Sequence, residues 1–147
     1  MATSEDGPRR VLILCTHNSA RSQMAEGLLR SLGGPHFAVA SAGTVATRVR
    51  PEAIAAMAEL GIDISGHSSK TLERYLSEPW DEVITVCDDA NDACPIFPGK
   101  AHRRHWSTPD PSGVQGDDAA RLAAFRAARD SLRARIEAEL LPAPAGG

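Results

Sequence analysis

The chain has 147 residues, 42% of them hydrophobic, and a formal net charge of −3. That is the length of one ordinary domain with enough apolar material for a real core, and the mixed charge leaves no basic footprint for nucleic acid. No stretch approaches the roughly 20 apolar residues that span a bilayer, and the N-terminal residues lack the apolar core of a secretory signal, so a cytoplasmic protein without membrane contact is expected.

Taken in order, residues 1–8 read as a loose tail. Val11, Leu12, Ile13 and Leu14 form an apolar run without polar alternation, as expected of a central parallel strand buried on both faces, and Cys15 is its last residue. Beyond Ser22, the positions Met24, Ala25, Leu28, Leu29 and Leu32 recur at helical spacing until Gly33-Gly34. Phe37 to Ala40 is a second strand, followed by a turn at Ser41-Ala42-Gly43. Pro51 opens a helix carrying Ile54, Met57, Ala58 and Leu60, which Gly61 closes. Ser69 is placed to cap a short helix from Lys70 to Leu76, which Pro79 breaks. Val83 to Val86 is a second clean apolar run and leads into Cys87, a weaker strand covers His102 to Trp106, and a long helix starts near Asp117 with Leu122, Phe125, Leu132, Ile136 and Leu140 on one stripe. Its many arginines read as a solvated face. Residues 142–147 are a frayed end.

Strands alternating with helices predict an α/β fold, one domain over residues 1–147, with a doubly wound, four-stranded parallel sheet covered by helices on both faces. In the flavodoxin-like order, here 2-1-3-4, strands one and three lie side by side at the switch point, where such sheets bind ligands. Those are the strands that end in Cys15 and Cys87. With neighbouring strands about 4.8 Å apart, the two thiols come within bonding reach after a modest loop movement.

Cys15 to Ser22, read Cys-Thr-His-Asn-Ser-Ala-Arg-Ser, joins the first strand to the first helix. Such a loop aims backbone N–H groups and the positive end of a helix dipole at one point, so Thr16, His17, Asn18, Ser19, Ala20 and Arg21 form a cradle for a tetrahedral oxyanion. Arg21 brings a planar fork of donors, and the same field favours the nucleophilic thiolate of Cys15. A buried cysteine ending a strand is ordinarily a small hydrophobe; its company of Ser19, Arg21 and Ser22 on this pattern argues for catalysis. Asp110, in the proline-rich loop before Pro111, is the candidate general acid for a leaving oxygen, although an aspartate there also caps its own turn.

Cys94 follows Cys87 across a segment poor in apolar anchors. If that segment is helical, the two Cα atoms lie roughly 10 Å apart, beyond the about 7 Å of a disulfide, so pairing requires it to unwind. Zinc is the bland alternative, with His102 and His105 nearby, but the short Cys-x-x-Cys knuckle is missing and no metal is expected.

The cradle, together with Gln23-Met24-Ala25-Glu26-Gly27, Ser41-Ala42-Gly43, Gly61-Ile62-Asp63-Ile64-Ser65, Cys94-Pro95-Ile96, His105-Trp106 and Asp110-Pro111, resembles the thioredoxin-coupled arsenate reductases of low-molecular-weight phosphotyrosine phosphatase fold. The resemblance implies that Cys15 attacks arsenate, that Arg21 and Ser22 steady the oxyanion and thiolate, and that Asp110 protonates the leaving hydroxyl. It further implies that Cys87 displaces arsenite to leave a Cys15–Cys87 disulfide, that Cys94 takes over that bond, and that thioredoxin, supplied ultimately by NADPH, reduces it without any bound cofactor. Phosphate and sulfate are expected to compete in the cradle, and nothing demands more than a monomer.

His17 stands where relatives often have glycine, and Ala20 where many phosphatases of this fold have a second cysteine. Some relatives bind potassium through residues matching Asn18, Glu26, Ser41, Ser68 and an aspartate that is Lys70 here. A lysine is a poor cation ligand but neutralises Glu26 in its place, so no potassium dependence is expected. Two other readings stand beside the reductase. One is a tyrosine or aryl phosphatase, for which only Tyr75, Trp80 and Trp106 are available to wall an aromatic ring, with weak phosphatase side activity as its milder form. The other is a non-catalytic oxyanion sensor. Glutaredoxin or a small thiol is the alternative electron donor.

Overall fold

The computed structural model describes residues 8–87, 97 and 99–141. Four parallel strands, β1 (Arg9–Cys15), β2 (Phe37–Gly43), β3 (Glu82–Thr85) and β4 (His102–His105), form one sheet in the order β2-β1-β3-β4, as the alternation of elements predicted. The helices are α1 (Arg21–Gly33), α2 (Pro51–Ala58) and α3 (Asp118–Glu139).

The missing polar alternation of β1 has the expected cause: it is the central strand, and every residue from Val11 to Cys15 is buried. Its side chains divide between two cores. Val11, Ile13 and Cys15 join Met24, Leu28, Met57, Phe125, Leu132 and Ile136, so α1, α2 and α3 all contribute to one layer. Leu12 and Leu14 face the other way with Ala42, Val83 and Phe97, and this second face is covered by the one-turn 3-10 helix Leu72–Tyr75 and by Trp80. The two tryptophans occupy opposite ends of the strands. Trp106 follows β4, is 1% exposed and donates its indole N–H to Glu139 at 3.0 Å. Trp80 precedes β3 beneath the Arg10 guanidinium and against the Tyr75 ring.

Several boundaries differ from the sequence reading. β2 runs on through Ser41-Ala42-Gly43 rather than turning there, because those small residues stay in parallel register with Ile13, Leu14 and Cys15. Ser69 caps no helix: the turn that follows is the shorter Leu72–Tyr75, and the Ser69 hydroxyl donates instead to the His17 carbonyl. β3 ends at Thr85, which leaves Cys87 just past the strand, and β4 ends before Trp106. Asp117 is the N-cap of α3, its carboxylate accepting from the Ala120 N–H.

Beyond apolar packing, α2 and α3 are tied by ion pairs. Glu52 binds Arg121 at 2.7 Å. Glu59, just past the end of α2, accepts from Nε and Nη2 of Arg126 and from Nη1 of Arg129, which also donates to the Ala56 carbonyl at 2.7 Å and, through Nε, to Asp130 at 2.8 Å. The hydrogen bonds from Arg126, then Arg129, lower the Glu59 carboxyl from 4.5 to about 2. A depressed acid contributes stability that is present above its unfolded value, 4.5, and is lost as the pH falls through its folded value, about 2. The melting-temperature difference between wild type and Glu59→Gln is therefore expected to be greatest at neutral pH and to shrink on acidification across that window; a difference independent of pH would contradict the assignment.

Candidate active site

The cradle is built by claims on its carbonyl oxygens. The Thr16 carbonyl accepts from the N–H groups of Thr44 and Val45 at 2.9 and 3.1 Å, and the Ser19 carbonyl from the Arg50 N–H at 2.8 Å. The His17 carbonyl accepts from Ser69 and Thr47 hydroxyls, and the Asn18 carbonyl from the Gln23 amide at 3.1 Å. No peptide bond is cis among the described residues. In a trans peptide the carbonyl and the next N–H point in opposite directions, so anchoring these four carbonyls from outside turns the N–H groups of His17, Asn18, Ser19 and Ala20 inward. The Asn18 N–H reaches the Cys15 Sγ at 3.2 Å. Asn18 achieves this in a left-handed conformation, φ +50°, which asparagine tolerates better than most side chains.

A directed chain of hydrogen bonds then reaches the sulfur. The Glu26 carboxylate only accepts, so the Ser41 hydroxyl donates to it, at 2.5 Å. Ser41 Oγ is thereby an acceptor for Asn18 Nδ2 at 2.9 Å, and the second Nδ2 hydrogen goes to Ser22 Oγ at 2.8 Å. The Ser22 proton is left for Cys15 Sγ, 2.9 Å away. The amide orientation of Asn18 is fixed from its other side, where Oδ1 accepts from the Lys70 N–H and from Gln23 Nε2 at 2.8 and 2.9 Å. Gln23 in turn presents Oε1 to His67 Nδ1 at 3.0 Å, so that nitrogen carries the hydrogen. Burial, reinforced by Arg30 and Lys70 and opposed by Glu26 and Asp63, lowers the His67 pKa and favours the neutral ring, whose tautomer the bond to Gln23 sets.

Arg21 opens α1, is 3% exposed, and donates to the Thr108 carbonyl at 3.0 Å. Asp110 lies in the same loop, with Oδ2 3.7 Å from the guanidinium. Its Oδ1 accepts from the backbone N–H and hydroxyl of Ser112 at 3.0 and 2.6 Å, so one oxygen caps the turn and the other faces Arg21. Cys87 is fully buried, and its carbonyl accepts from the Thr108 N–H at 3.4 Å. The backbone of the second thiol is thus two hydrogen bonds from the cradle arginine, through Thr108.

The structure accordingly brings together Cys15, the Thr16–Ala20 loop, Arg21 and Ser22, with Asp110 and Cys87 beside them; Cys94 lies outside the described residues. One expectation needs correction. The direct ion pair of Glu26 is with Arg30 at 2.6 Å, while Lys70, whose ammonium donates to the Ser68 carbonyl at 2.7 Å, acts on Glu26 only through its field. Arg30 lies one helical turn after Glu26 on α1, which puts its guanidinium in direct reach. His102 and His105, considered for zinc, instead meet Glu82 and Thr85 on the sheet edge, and the described residues contain no metal-ligating cluster. Sequence reasoning missed Gln23, Thr47, Arg50, His67 and Ser69 as supports of the cradle. Their only signal is proximity in the fold.

Gly43 shows how tightly the cradle is held. A Cβ there would stand 2.6 and 2.8 Å from the Thr16 and Cys15 carbonyls and 2.9 Å from the Asn18 nitrogen, all backbone atoms without freedom to yield. Gly43→Ala is expected to displace the loop and to lower kcat/KM about 100-fold, the scale of a 1 Å misplacement, with little loss of helical signal by circular dichroism. Full activity would show that the loop tolerates displacement.

Residues 10–141 match the low molecular weight phosphotyrosine protein phosphatase family. The arsenate reductase of Halalkalibacterium halodurans is 43% identical over 127 residues, covering 86% of this chain and 91% of that protein. A solved arsenate reductase in the phosphate binding state superposes with a TM-score of 0.76 at 37% identity, over 88% of this chain and 95% of that one. The thioredoxin-dependent arsenate reductase of Corynebacterium glutamicum gives a TM-score of 0.64 at 28% identity, over 93% of this chain and 66% of that one. With the thiol, the anchored loop and the arginine in place on this sheet, the chain belongs to the low molecular weight phosphotyrosine protein phosphatase family.

Proposed function

We propose that the chain reduces arsenate to arsenite and contributes to arsenic detoxification, drawing electrons from thioredoxin through Cys15, Cys87 and Cys94. The observation that carries this reading is that two buried thiols stand at or just past the C-terminal ends of adjacent strands, one of them met by the Asn18 N–H and the Ser22 hydroxyl. Relatives named arsenate reductase and a thioredoxin-dependent structural neighbour support it.

In this reaction Cys15 Sγ attacks arsenic, and a hydroxyl departs as water with a proton from Asp110. Arg21 and the loop N–H groups hold the remaining oxygens in a preorganised field. Cys87 then attacks the Cys15 sulfur; the As–S electron pair returns to arsenic, which leaves as arsenite, and a disulfide remains. Cys94 displaces Cys15 from that disulfide, and the thioredoxin dithiol reduces the Cys87–Cys94 bond. Thiols supply both electrons, so no resident cofactor or metal is invoked. We place the protein in the cytoplasm, as a monomer, where thioredoxin maintains reduced thiols; no helix among the described residues is long and apolar enough to cross a membrane.

An aryl phosphatase would need walls for its ring. Trp106 is buried in the core, while Tyr75 and Trp80 pair with each other at the N-terminal end of the strands, away from the cradle. Phosphate ester cleavage is therefore expected as a weak side activity.

Arsenate-dependent NADPH oxidation, coupled through thioredoxin and its reductase, tests the proposal. Wild type is expected to turn over, Cys15→Ser and Cys87→Ser to be silent, and Cys94→Ser to stall after a single reduction; Asp110→Asn should lose between about 100- and 10,000-fold in kcat. Sustained turnover by Cys87→Ser would replace the relay with direct attack by an external thiol.

Because Arg30 holds Glu26 and the Lys70 ammonium holds the Ser68 carbonyl, equal rates are expected in potassium and sodium at equal ionic strength. Activation specific to potassium would show that a cation still binds there.

A further inference from the structure

Beside the cradle lies an open pocket of about 280 Å³, close to the lower bound of about 300 Å³ for small-molecule sites. His17 and Ser19 of the cradle loop form one wall, Thr47, Arg48 and Arg50 a second, and Ser112, which holds Asp110, a third. No carboxylate lines it.

Most arginines of this chain have a carboxylate partner, and two that do not are otherwise engaged, Arg74 over the Tyr75 ring and Arg103 on the Gly99 carbonyl. Arg121, Arg126 and Arg129 on α3 are paired with Glu52 or Glu59, and Arg9 and Arg104 with Glu82. Arg48 and Arg50 have no acidic partner among the described residues, and the Nε of Arg50 is buried without a hydrogen-bond acceptor. The Arg50 backbone is fixed, its N–H on the Ser19 carbonyl and its carbonyl on the N–H groups of Ala53 and Ile54. A buried, unsatisfied guanidinium donor costs free energy until an acceptor arrives, and two guanidinium groups without a counter-charge select an anion.

We propose that this pocket is a second anion subsite, which holds the carboxylate or phosphate of a small ligand whose other anionic group occupies the cradle. The proposal rests on the reading of the cradle as an oxyanion seat and extends it. Shared residues make the two seats neighbours: His17 and Ser19 contribute to both. Inorganic arsenate fills only the first, so the subsite distinguishes two-anion molecules from free oxyanion.

Protection of Cys15 from iodoacetamide, followed by intact-protein mass spectrometry, tests this with defined probes: inorganic phosphate, pyrophosphate and 3-phosphonopropionate. In wild type, at least one of the two-anion probes is expected to protect at a concentration at least tenfold below that of phosphate, pyrophosphate reporting a phosphate-preferring subsite and 3-phosphonopropionate a carboxylate-preferring one. In Arg48→Met, Arg50→Met and the double variant, the ratio to phosphate should fall stepwise toward one. Arg48 is exposed, so its replacement keeps the test valid if Arg50→Met fails to fold. Equal protection by all three probes in wild type, or an advantage that survives both substitutions, would overturn the subsite alone. Failure of phosphate itself to protect Cys15 would overturn the reading of the cradle, and the subsite with it.

Discussion

Everything at this site depends on where four consecutive carbonyl groups point. A loop that turns its N–H groups inward must present its carbonyls outward, and a buried carbonyl without a donor costs roughly 1–3 kcal/mol. Here the donors come from two places far along the chain, Thr44 to Arg50 and Ser69, and from Gln23 on the helix that follows the loop. The cradle is thus only as rigid as the packing of β2 and the segment before the 3-10 turn against β1. That explains why β2 runs to Gly43: the strand has to reach the level of Cys15 to deliver Thr44 and Val45 to the Thr16 carbonyl.

The second organising element is the direction of the hydrogen bonds from Glu26 to Cys15. A carboxylate at one end can only accept, and each hydroxyl or amide between it and the sulfur is left with one consistent orientation. The Ser22 proton is committed to the sulfur before any substrate arrives. Such preorganisation spares the reaction the reorientation of dipoles that water would require. The charge of Glu26 is held by Arg30, while Lys70 and His67 occupy the neighbouring polar positions, so the chain from Glu26 to the thiol starts from a saturated ionic site.

The fold and the chemical centre were legible for the same reason. Val11 to Leu14 and Val83 to Ile84 are uninterrupted apolar runs because their strands are covered on both faces, and Cys15, Arg21 and Ser22 are grouped within one strand-loop-helix unit. What the sequence hid is long-range. Ser41-Ala42-Gly43 has the composition of a turn and is strand because Ile13 to Cys15 lie alongside it; Ser69 has the composition of a helix cap and is used on the His17 carbonyl. Glu26 was matched to Lys70 by homologous position, when the contact made is with Arg30 on the same helix. None of these partners is linked by any periodicity, so only the packed structure reveals them.

The loop gripped by Arg21 also carries a chromophore. Thr108 accepts from Arg21 through its carbonyl and donates its hydroxyl to the carbonyl of Trp106, whose indole is sealed in the core against Glu139. The other tryptophan, Trp80, sits under Arg10 at the far end of the strands and is insulated from these contacts. Trp106 emission is therefore expected to follow the contact between Thr108 and the cradle arginine, with Trp80 as the comparison at the other end of the strands, an optical handle on the cradle that needs no label.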